Sequence, residues 1–212
     1  RGSAQNPDIF FQARESCNKY YDALPAVVEE YMNKVNAKIG TDYKPFNYYG
    51  AADADRVIVA MGSVCDTIEE VIDYLNARGE KVGLIKVRLY RPFSVKHMLN
   101  VMPKSVKSVA VLDRTKEPGS LGEPLFLDVV AALAGTEFSG VKVVGGRYGL
   151  GSKDTTPGNI CSVYANLAAK EPKHEFTIGI VDDVTNLSLD DTEDPDTTAA
   201  GTVSCKFWGL GS

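Results

Sequence analysis

Cysteine is scarce in this chain of 212 residues, which has four cysteines and two histidines. The cysteines are scattered, at Cys17, Cys65, Cys161 and Cys205. No pair has the spacing that chelates zinc or an iron–sulfur cluster, and the four do not form the dense framework of a disulfide-rich domain. We therefore expect reduced thiols with structural roles.

Long apolar runs are also absent. No stretch approaches the roughly 20 apolar residues that a membrane-spanning helix requires, and no signal peptide opens the chain. With 44% apolar residues, the chain can bury the core of one ordinary domain with some connecting segments. We expect a soluble protein of an interior aqueous compartment, with no membrane partner and no nucleic-acid partner.

Catalytic patterns are missing as well. His97 falls in a helical stretch and His174 in a connection rich in lysine and glutamate. Neither has the acid and nucleophile neighbours of a catalytic triad, so we expect packing or surface roles for both. No pair of carboxylates stands out as an acid and base couple. The sequence predicts no catalytic residue and no metal ligand.

Glycine-rich nucleotide signatures are not found either. Gly62 and Ser63 follow a strand-like run and precede a helix, whose free amides could hold a phosphate or a carboxylate. No G-x-G-x-x-G or Walker sequence accompanies them, and Asp66 in the first helical turn would oppose an anion. A glycine for a tight turn and a capping serine are the favoured interpretation.

Acidic residues are concentrated in one segment. The net charge is −5, but residues 182–196 hold seven acids and no lysine or arginine. Without that segment, 23 basic residues stand against 21 acidic ones. Residues 186–205 are acidic, rich in threonine and nearly free of aromatics, and we predict a solvated linker there.

Strand-like apolar runs alternate with helical segments from Arg56 onward. RVIVAM precedes a helix that ends at Gly79, and the pattern returns with KVGLIKVRLY, SVAVLD and VKVVGG before FTIGIV provides a fifth strand. This alternation is typical of a parallel sheet covered by helices on both faces. We predict an α/β three-layer sandwich over residues 48–185, with a mainly parallel five-stranded sheet.

Residues 1–47 predict a helical hairpin followed by a connection. Asn6 and Pro7 suit the start of a first helix, and Pro25 can open a second helix that Gly40 ends. The aperiodic segment that follows indicates an extended connection.

Arginine follows three of the predicted strands, as Arg88 and Arg91 in VRLYRPF, Arg114 in AVLDRTKEPG and Arg147 in VVGGRYGLGSKDTTP. The carboxyl ends of neighbouring parallel strands share one edge of a sheet, where open α/β folds bind their ligands. The sequence therefore predicts a basic, glycine-rich rim at that edge.

Each of these rim loops allows two interpretations. In GGRYGLGSKDTTP, Arg147 and Lys153 could clamp a diphosphate or a carboxylate, or the loop could pack on a neighbouring domain with Arg147 paired to an acid there. In DRTKEPGSLGEP, Asp113 and Arg114 could pair with each other while Lys116 reaches a ligand. The structural interpretation is favoured for both loops.

Four segments in order, RGSAQNPDIFFQARE, MGSVCDTIEEVIDYLNARGEKVGLIKVRLYRPF, LDRTKEPGSLGEPLFLDV and GGRYGLGSKDTTP, closely resemble pyruvate:ferredoxin (flavodoxin) oxidoreductases across nearly the whole chain. The resemblance implies the second domain of that family, similar to the carboxyl-terminal domain of transketolases. Residues 206–212 resemble the opening of the following gamma-type domain, so we expect a segment of a longer polypeptide. Arg1 to Ser3 resemble an expression-tag remnant, but native residues are favoured.

The resemblance implies a complete enzyme that decarboxylates pyruvate on thiamine diphosphate and Mg, and transfers acetyl to coenzyme A. Electrons pass through [4Fe–4S] clusters to ferredoxin or flavodoxin. The implied assembly is a homodimer in the cytoplasm, or in the hydrogenosome for a chain from an anaerobic protist. The family holds these centres in other domains, so no cofactor is expected in this segment.

Two hypotheses about function follow from the rim. The first is a non-catalytic domain whose rim docks against other domains of the same polypeptide or the second protomer. The second is an autonomous module that binds coenzyme A through the strand-end loops, with Arg91, Arg114, Lys116, Arg147 and Lys153 as candidate binding residues. A stand-alone scaffold protein is a minor third reading.

Overall fold

The computed structural model describes residues 4–191 and 193–211, so Arg1 to Ser3 and Ser212 lie outside the described residues. A six-stranded sheet forms the centre of the fold, in the order β1-β3-β2-β4-β5-β6. The strands are β1 Phe46–Gly50, β2 Arg56–Ala60, β3 Val82–Val87, β4 Ser108–Asp113, β5 Lys142–Arg147 and β6 Phe176–Thr177. The helices are α1 Pro7–Glu15, α2 Asn18–Ile39, α3 Val64–Asn76, α4 Val95–Val101, α5 Pro124–Leu133 and α6 Pro157–Ala168.

The mainly parallel α/β architecture is confirmed, but the sheet has six strands rather than five. Strands β2 to β6 are parallel to their neighbours, and β1 adds an antiparallel edge next to β3. This extra strand comes from the segment predicted to be an extended connection, and it spans the boundary expected between residues 47 and 48. Phe46 anchors it, because its side chain is buried with its ring centroid 5.3 Å from that of Phe93.

Helices cover both faces of the sheet. Helices α3 and α6 pack on one face, where Ile68 and Tyr164 are fully buried, and α4 and α5 pack on the other, where Met98 and Leu125 are fully buried. Successive side chains of the central strands β2 and β4 point alternately into the two cores, so both faces of these strands are buried. This explains why these strands are continuous apolar runs in the sequence.

The two amino-terminal helices bury none of their side chains. Asn6 caps α1 by accepting a hydrogen bond from the Ile9 amide at 3.0 Å, and α2 ends at Gly40, whose φ of +72° is left-handed. The second helix begins at Asn18 and contains Pro25, whereas Pro25 was predicted to open it. No helix in the described ranges is long and apolar enough to cross a membrane.

Part of the acidic segment folds back onto the domain. We name residues 186–191 and 193–194 the acidic strap. The Leu189 amide donates to the Thr177 carbonyl at 3.0 Å, and Glu193 accepts hydrogen bonds from the Tyr74 hydroxyl at 2.8 Å and from Arg78 at 2.9 Å. Asp194 accepts one from the Gly158 amide at 3.0 Å, near the start of α6. This part of the predicted linker is therefore in contact with α3 and α6.

Candidate functional site

The rim lies along one edge of the sheet, as the sequence predicts. Arg88 follows β3, Arg114 follows β4, and Arg147 is the last residue of β5. Because these strands run parallel, their carboxyl ends meet at the same edge. The side chains that share the edge nevertheless have different surroundings.

Arg147 is buried and paired within the chain. Its Nε donates to Glu123 Oε1 at 2.8 Å, and its terminal nitrogens donate to the Glu175 carbonyl at 2.8 Å and to Glu175 Oε1 at 3.2 Å. The side chains of Arg147 and Glu123 are 8% and 1% exposed. Sequence reasoning sought an acid in a neighbouring domain and missed both glutamates, which lie 24 and 28 residues away. Arg147 therefore connects the end of β5 to the loop after β4 and to the loop before β6.

Arg91 and Arg88 are also engaged by their neighbours. Arg91 Nη1 lies 2.7 Å from Asp128 Oδ2 on α5, and its guanidinium lies 3.9 Å from the centre of the Tyr90 ring. Arg88 Nε donates to Asn47 Oδ1 on β1 at 3.0 Å. The Arg91 side chain is held by a carboxylate and the Arg88 side chain by an amide. Neither lines the groove that contains Arg114, although Arg88 lines an adjacent groove with Gly62 and Ser63.

Arg114 and Lys153 line a groove of about 540 Å³ at the centre of the rim. Arg114 Nε donates to the Gly149 carbonyl at 3.1 Å. Lys116 is exposed and does not line the groove. Within residues 4–191 and 193–211, no carboxylate lies at ion-pair distance from these three cations. The groove therefore holds two of the five predicted binding residues. Its lining residues are Gly62, Ser63, Val64, Thr67, Arg114, Tyr148, Gly149, Lys153, Asp154 and Thr155.

Gly149 makes the approach of Arg114 to the loop after β5 possible. Its φ of +64° is left-handed, and a Cβ at this position would lie 2.9 Å from Arg114 Nε. A side chain here would be strained and would displace the arginine. The glycine-rich sequence therefore serves the close packing of two rim loops.

Asp113 does not pair with Arg114, contrary to one interpretation of the loop after β4. Its carboxylate accepts hydrogen bonds from the backbone amides of Leu125 at 3.0 Å and Phe126 at 3.1 Å. These amides belong to the first turn of α5, so Asp113 caps this helix from the end of β4. Burial raises the pKa of the Asp113 carboxyl, although the two amide bonds act in the opposite direction.

The two histidines make structural contacts. His97 Nδ1 lies 2.6 Å from Ser94 Oγ, and its Nε2 lies 3.5 Å from a Glu29 carboxylate oxygen of α2. His174 Nδ1 accepts a hydrogen bond from the Gly145 amide at 3.0 Å, and its ring packs on Phe126. Both rings therefore join neighbouring segments of the fold.

The cysteines do not fit an iron–sulfur cluster. Cys65 and Cys161 are buried, and burial raises the pKa of each to about 11, whereas cluster and metal ligands are thiolates. Cys17 lies between α1 and α2, and Cys205 is exposed near the end of the chain. Among the described residues, no three His, Cys, Asp or Glu side chains are grouped so that they could hold a metal ion.

The fold and the groove define the chain as a three-layer α/β core domain. It belongs to the family described as pyruvate:ferredoxin oxidoreductase core domain II, which matches residues 54–160. The family assignment that the four sequence segments suggested is thereby confirmed.

Curated relatives match the chain over its full length. It is 61% identical to a pyruvate-flavodoxin oxidoreductase of Enterobacter agglomerans, 58% identical to a pyruvate:ferredoxin oxidoreductase of Moorella thermoacetica and 54% identical to a pyruvate-flavodoxin oxidoreductase of Klebsiella pneumoniae. Each match covers 100% of this chain but 18% of the length of the relative. The chain therefore corresponds to about a fifth of those proteins.

A solved structure of 2-oxoglutarate:ferredoxin oxidoreductase from Magnetococcus marinus, with 2-oxoglutarate, coenzyme A and succinyl-CoA bound, shares 21% sequence identity. The match has a TM-score of 0.44 and covers 65% of this chain and 22% of that chain.

Proposed function

We propose that this chain is a non-catalytic positioning domain of a pyruvate:ferredoxin or pyruvate:flavodoxin oxidoreductase. The observation that carries the proposal is the apolar surface of α1 and α2, which bury no side chain within this chain. Helices that expose many large apolar groups are stabilised when another surface covers them. The domain therefore has the form of a unit that docks against further parts of its polypeptide.

Nine large apolar or aromatic side chains of these helices are exposed, each by at least 43%. They are Ile9, Phe10, Phe11, Tyr20, Tyr21, Val27, Tyr31, Val35 and Ile39. Part of this set lines an apolar groove of about 510 Å³, which also includes Tyr43 and Arg88. The apolar groove joins α2 to the rim through Arg88, so one docked surface could contact both.

The partners in this proposal are other domains of the same polypeptide, in a complete enzyme that is a cytoplasmic homodimer, or a hydrogenosomal one in an anaerobic protist. The complete enzyme oxidises pyruvate and coenzyme A to acetyl-CoA and CO2, and reduces ferredoxin or flavodoxin. Thiamine diphosphate, Mg and [4Fe–4S] clusters are held by those other domains. The 18% share of the relatives' length leaves room for them.

Hydrogen–deuterium exchange tests the docking of α1 and α2. We expect the amides of residues 7–39 to exchange at least about tenfold more slowly in the complete polypeptide than in the 212-residue chain, because a covering domain must open first. The amides of α3, which is already packed on the sheet, should exchange equally in both. Equal exchange of α1 and α2 in the two proteins would contradict the proposal.

A charge on the apolar surface gives a second test in the complete enzyme. Val35→Glu places a carboxylate in the apolar groove, and we expect a weaker pyruvate-dependent reduction of ferredoxin together with faster exchange of residues 7–39. Lys38→Glu on the same helix is the matched control, because Lys38 is exposed and does not line the groove. Equal effects of both variants would point to a general defect of α2 rather than to docking.

The second candidate function is a module that binds coenzyme A through the rim. Arg114 and Lys153 support it, since both line one groove without a paired carboxylate among the described residues. Arg91 and Arg147 do not support it, because Asp128, Glu123 and Glu175 already hold them. Calorimetric titration of the 212-residue chain with coenzyme A tests this function, and no heat up to about millimolar ligand would exclude a useful affinity.

A further inference from the structure

The groove lies at the point where the order of the strands reverses. Strand β2 has β3 on one side and β4 on the other. The loop after β2 leads to α3 on one face of the sheet, and the loop after β4 leads to α5 on the opposite face. The two loops therefore diverge and open a crevice at the carboxyl ends of β2 and β4, which is where open α/β sheets bind ligands.

Three segments supply polar groups to this crevice. Ser63 and Thr67 come from the start of α3, Arg114 from the loop after β4, and Lys153 and Thr155 from the segment between β5 and α6. Asp154 is the acidic residue in the lining, so the lining side chains carry one more positive charge than negative. Separate parts of the chain thus converge on one basic, hydroxyl-rich space.

The guanidinium of Arg114 is oriented before any ligand arrives. Its Nε is held by the Gly149 carbonyl at 3.1 Å, and the lack of a Cβ at Gly149 allows this contact. The bond occupies one of the five N–H donors and leaves the two terminal nitrogens for a ligand. Such a fixed fork matches the spacing of phosphate oxygens.

The start of α3 adds backbone N–H groups at the same place, although the carboxylate of Asp66 in its first turn lowers the positive potential there. This helix has 13 residues, and the side chain of its first flanking residue, Ser63, makes no capping hydrogen bond. The partial positive charge of a helix amino terminus favours an anion. The sequence favoured a purely structural role for Gly62 and Ser63, because no glycine-rich nucleotide signature accompanies them and Asp66 would oppose an anion. The structure places Arg114 and Lys153 in the same groove as these two residues.

We propose that the crevice binds the phosphoryl groups of a small ligand of the diphosphate class, with Arg114, Lys153 and Ser63 as binding residues. Two cations and several hydroxyls offer more donors than the two oxygens of one carboxylate can accept, whereas a diphosphate presents enough acceptors. The groove of about 540 Å³ is also larger than one such anion requires. This inference rests on the second candidate function and narrows it to the phosphoryl groups of the ligand. It does not depend on the docking of α1 and α2, so a failure of that docking leaves it unaffected.

Titration of the ¹⁵N-labelled 212-residue chain with inorganic pyrophosphate tests the site. We expect saturable shifts of the backbone amide signals of Ser63, Arg114 and Gly149 below about 10 mM pyrophosphate. Malonate, a dicarboxylate, should require at least about tenfold higher concentrations for the same shifts. No saturable shift with pyrophosphate, or equal affinity for malonate, would overturn the proposal.

Three variants locate the binding. Arg114→Gln should weaken pyrophosphate binding about tenfold, and Ser63→Asp should abolish it, because a carboxylate then stands at the start of α3. Aspartate suits that position of a helix, so the far-UV circular dichroism and the unfolding midpoint of Ser63→Asp should be unchanged. Lys116→Gln is the matched control, in the same loop as Arg114 but outside the groove, and should change affinity less than about twofold. If Lys116→Gln weakens binding as much as Arg114→Gln does, the anion is held by general surface charge and the site is wrong.

Discussion

Arg147 and Arg114 lie at the ends of neighbouring strands, at the same edge of the sheet, yet they differ in burial and in charge pairing. In the pairing of β4 with β5, Asp113 lies opposite Arg147. Arg114 is the next residue after Asp113. Arg147 is buried between two glutamates, while Arg114 is exposed and bonded to a carbonyl. An arginine at the end of a strand is therefore structural or available for a ligand according to the acids that surround it, and not according to its place in the strand.

The largest expected difference between the two arginines concerns stability. Arg147→Met leaves the almost fully buried Glu123 without its cation, and should lower the free energy of unfolding by about 3–5 kcal/mol. Arg114→Met should change it by less than about 0.5 kcal/mol, because that side chain is exposed. Urea unfolding followed by circular dichroism measures both.

A double variant separates the lost ion pair from lost packing. Adding Glu123→Leu to Arg147→Met removes the uncompensated charge and should recover most of the stability. If the double variant is as unstable as Arg147→Met, the packing of the arginine stem, and not the buried charge, explains the loss.

Asp113 gives the next largest effect, since it caps α5 across the rim. Asp113→Ala removes two hydrogen bonds to the Leu125 and Phe126 amides and should cost about 2–3 kcal/mol of unfolding free energy. Asp66→Ala is the control, an exposed acid in the first turn of α3, with an expected cost of about 0.5 kcal/mol. A cost for Asp113→Ala as small as that of the control would show that α5 does not depend on this cap.

The pH dependence of stability gives a smaller effect, which we assign to Tyr48 on the edge strand β1. Burial, and then the charge of Asp53, raise the pKa of Tyr48 to about 12, and its hydroxyl donates to the Ala51 carbonyl. An unfolded tyrosine has a pKa near 10, so the stabilisation is complete below about pH 10 and is lost as the pH rises toward 12. Because Tyr48 is only partly buried, solvent screens the effect and we expect about 1 kcal/mol from this residue.

Comparison of Tyr48→Phe with the native chain measures that contribution. The native chain should lose more unfolding free energy between about pH 9 and pH 11.5 than Tyr48→Phe does. Tyr20→Phe is the control, because Tyr20 is exposed on α2. An identical decline in Tyr48→Phe and the native chain would assign the alkaline loss to other groups, such as Cys65 and Cys161.

The smallest expected effect is at the acidic strap. Glu193→Gln weakens the contact with Arg78, whose side chain is 56% exposed, so we expect a loss below about 1 kcal/mol. The amide exchange of residues 186–191 is the more sensitive measurement. It should become faster in Glu193→Gln, and it should also become faster in the native chain when salt is added. Asp196→Asn, which removes an acid that accepts a hydrogen bond from the nearby Thr198 amide, should leave that exchange unchanged.

The central fold was predictable from the sequence because β2 to β5 are mostly buried and their sequences are mainly apolar. Strand β1 was not, since FNYYG has no alternation and is held by one neighbour, β3. The acidic strap was not predictable either. Composition indicates a solvated segment, and the groups that bind Glu193 lie on α3, more than 100 residues earlier in the chain.

For the candidate site, the topology predicted which residues share an edge but not their roles. The alternation of strands and helices places the arginine-bearing turns together. Whether each arginine is free depends on carboxylates that the chain brings from elsewhere, such as Glu175 for Arg147 and Asp128 for Arg91. Those pairings are long-range contacts, and no local pattern reveals them.

The acidic strap also sets how far Phe207 and Trp208 can move from the α3 and α6 face. Glu193 and Asp194 are fastened to α3 and α6, so the free segment before Lys206 is residues 195–205, whose root-mean-square span is about 18 Å if it is flexible. Phe207 and Trp208, which are 92% and 83% exposed, are then confined near the α3 and α6 face at an effective concentration on the order of millimolar. If the acidic strap were released, the flexible segment before Phe207 and Trp208 would become longer. The effective concentration of these two side chains near the α3 and α6 face would then fall.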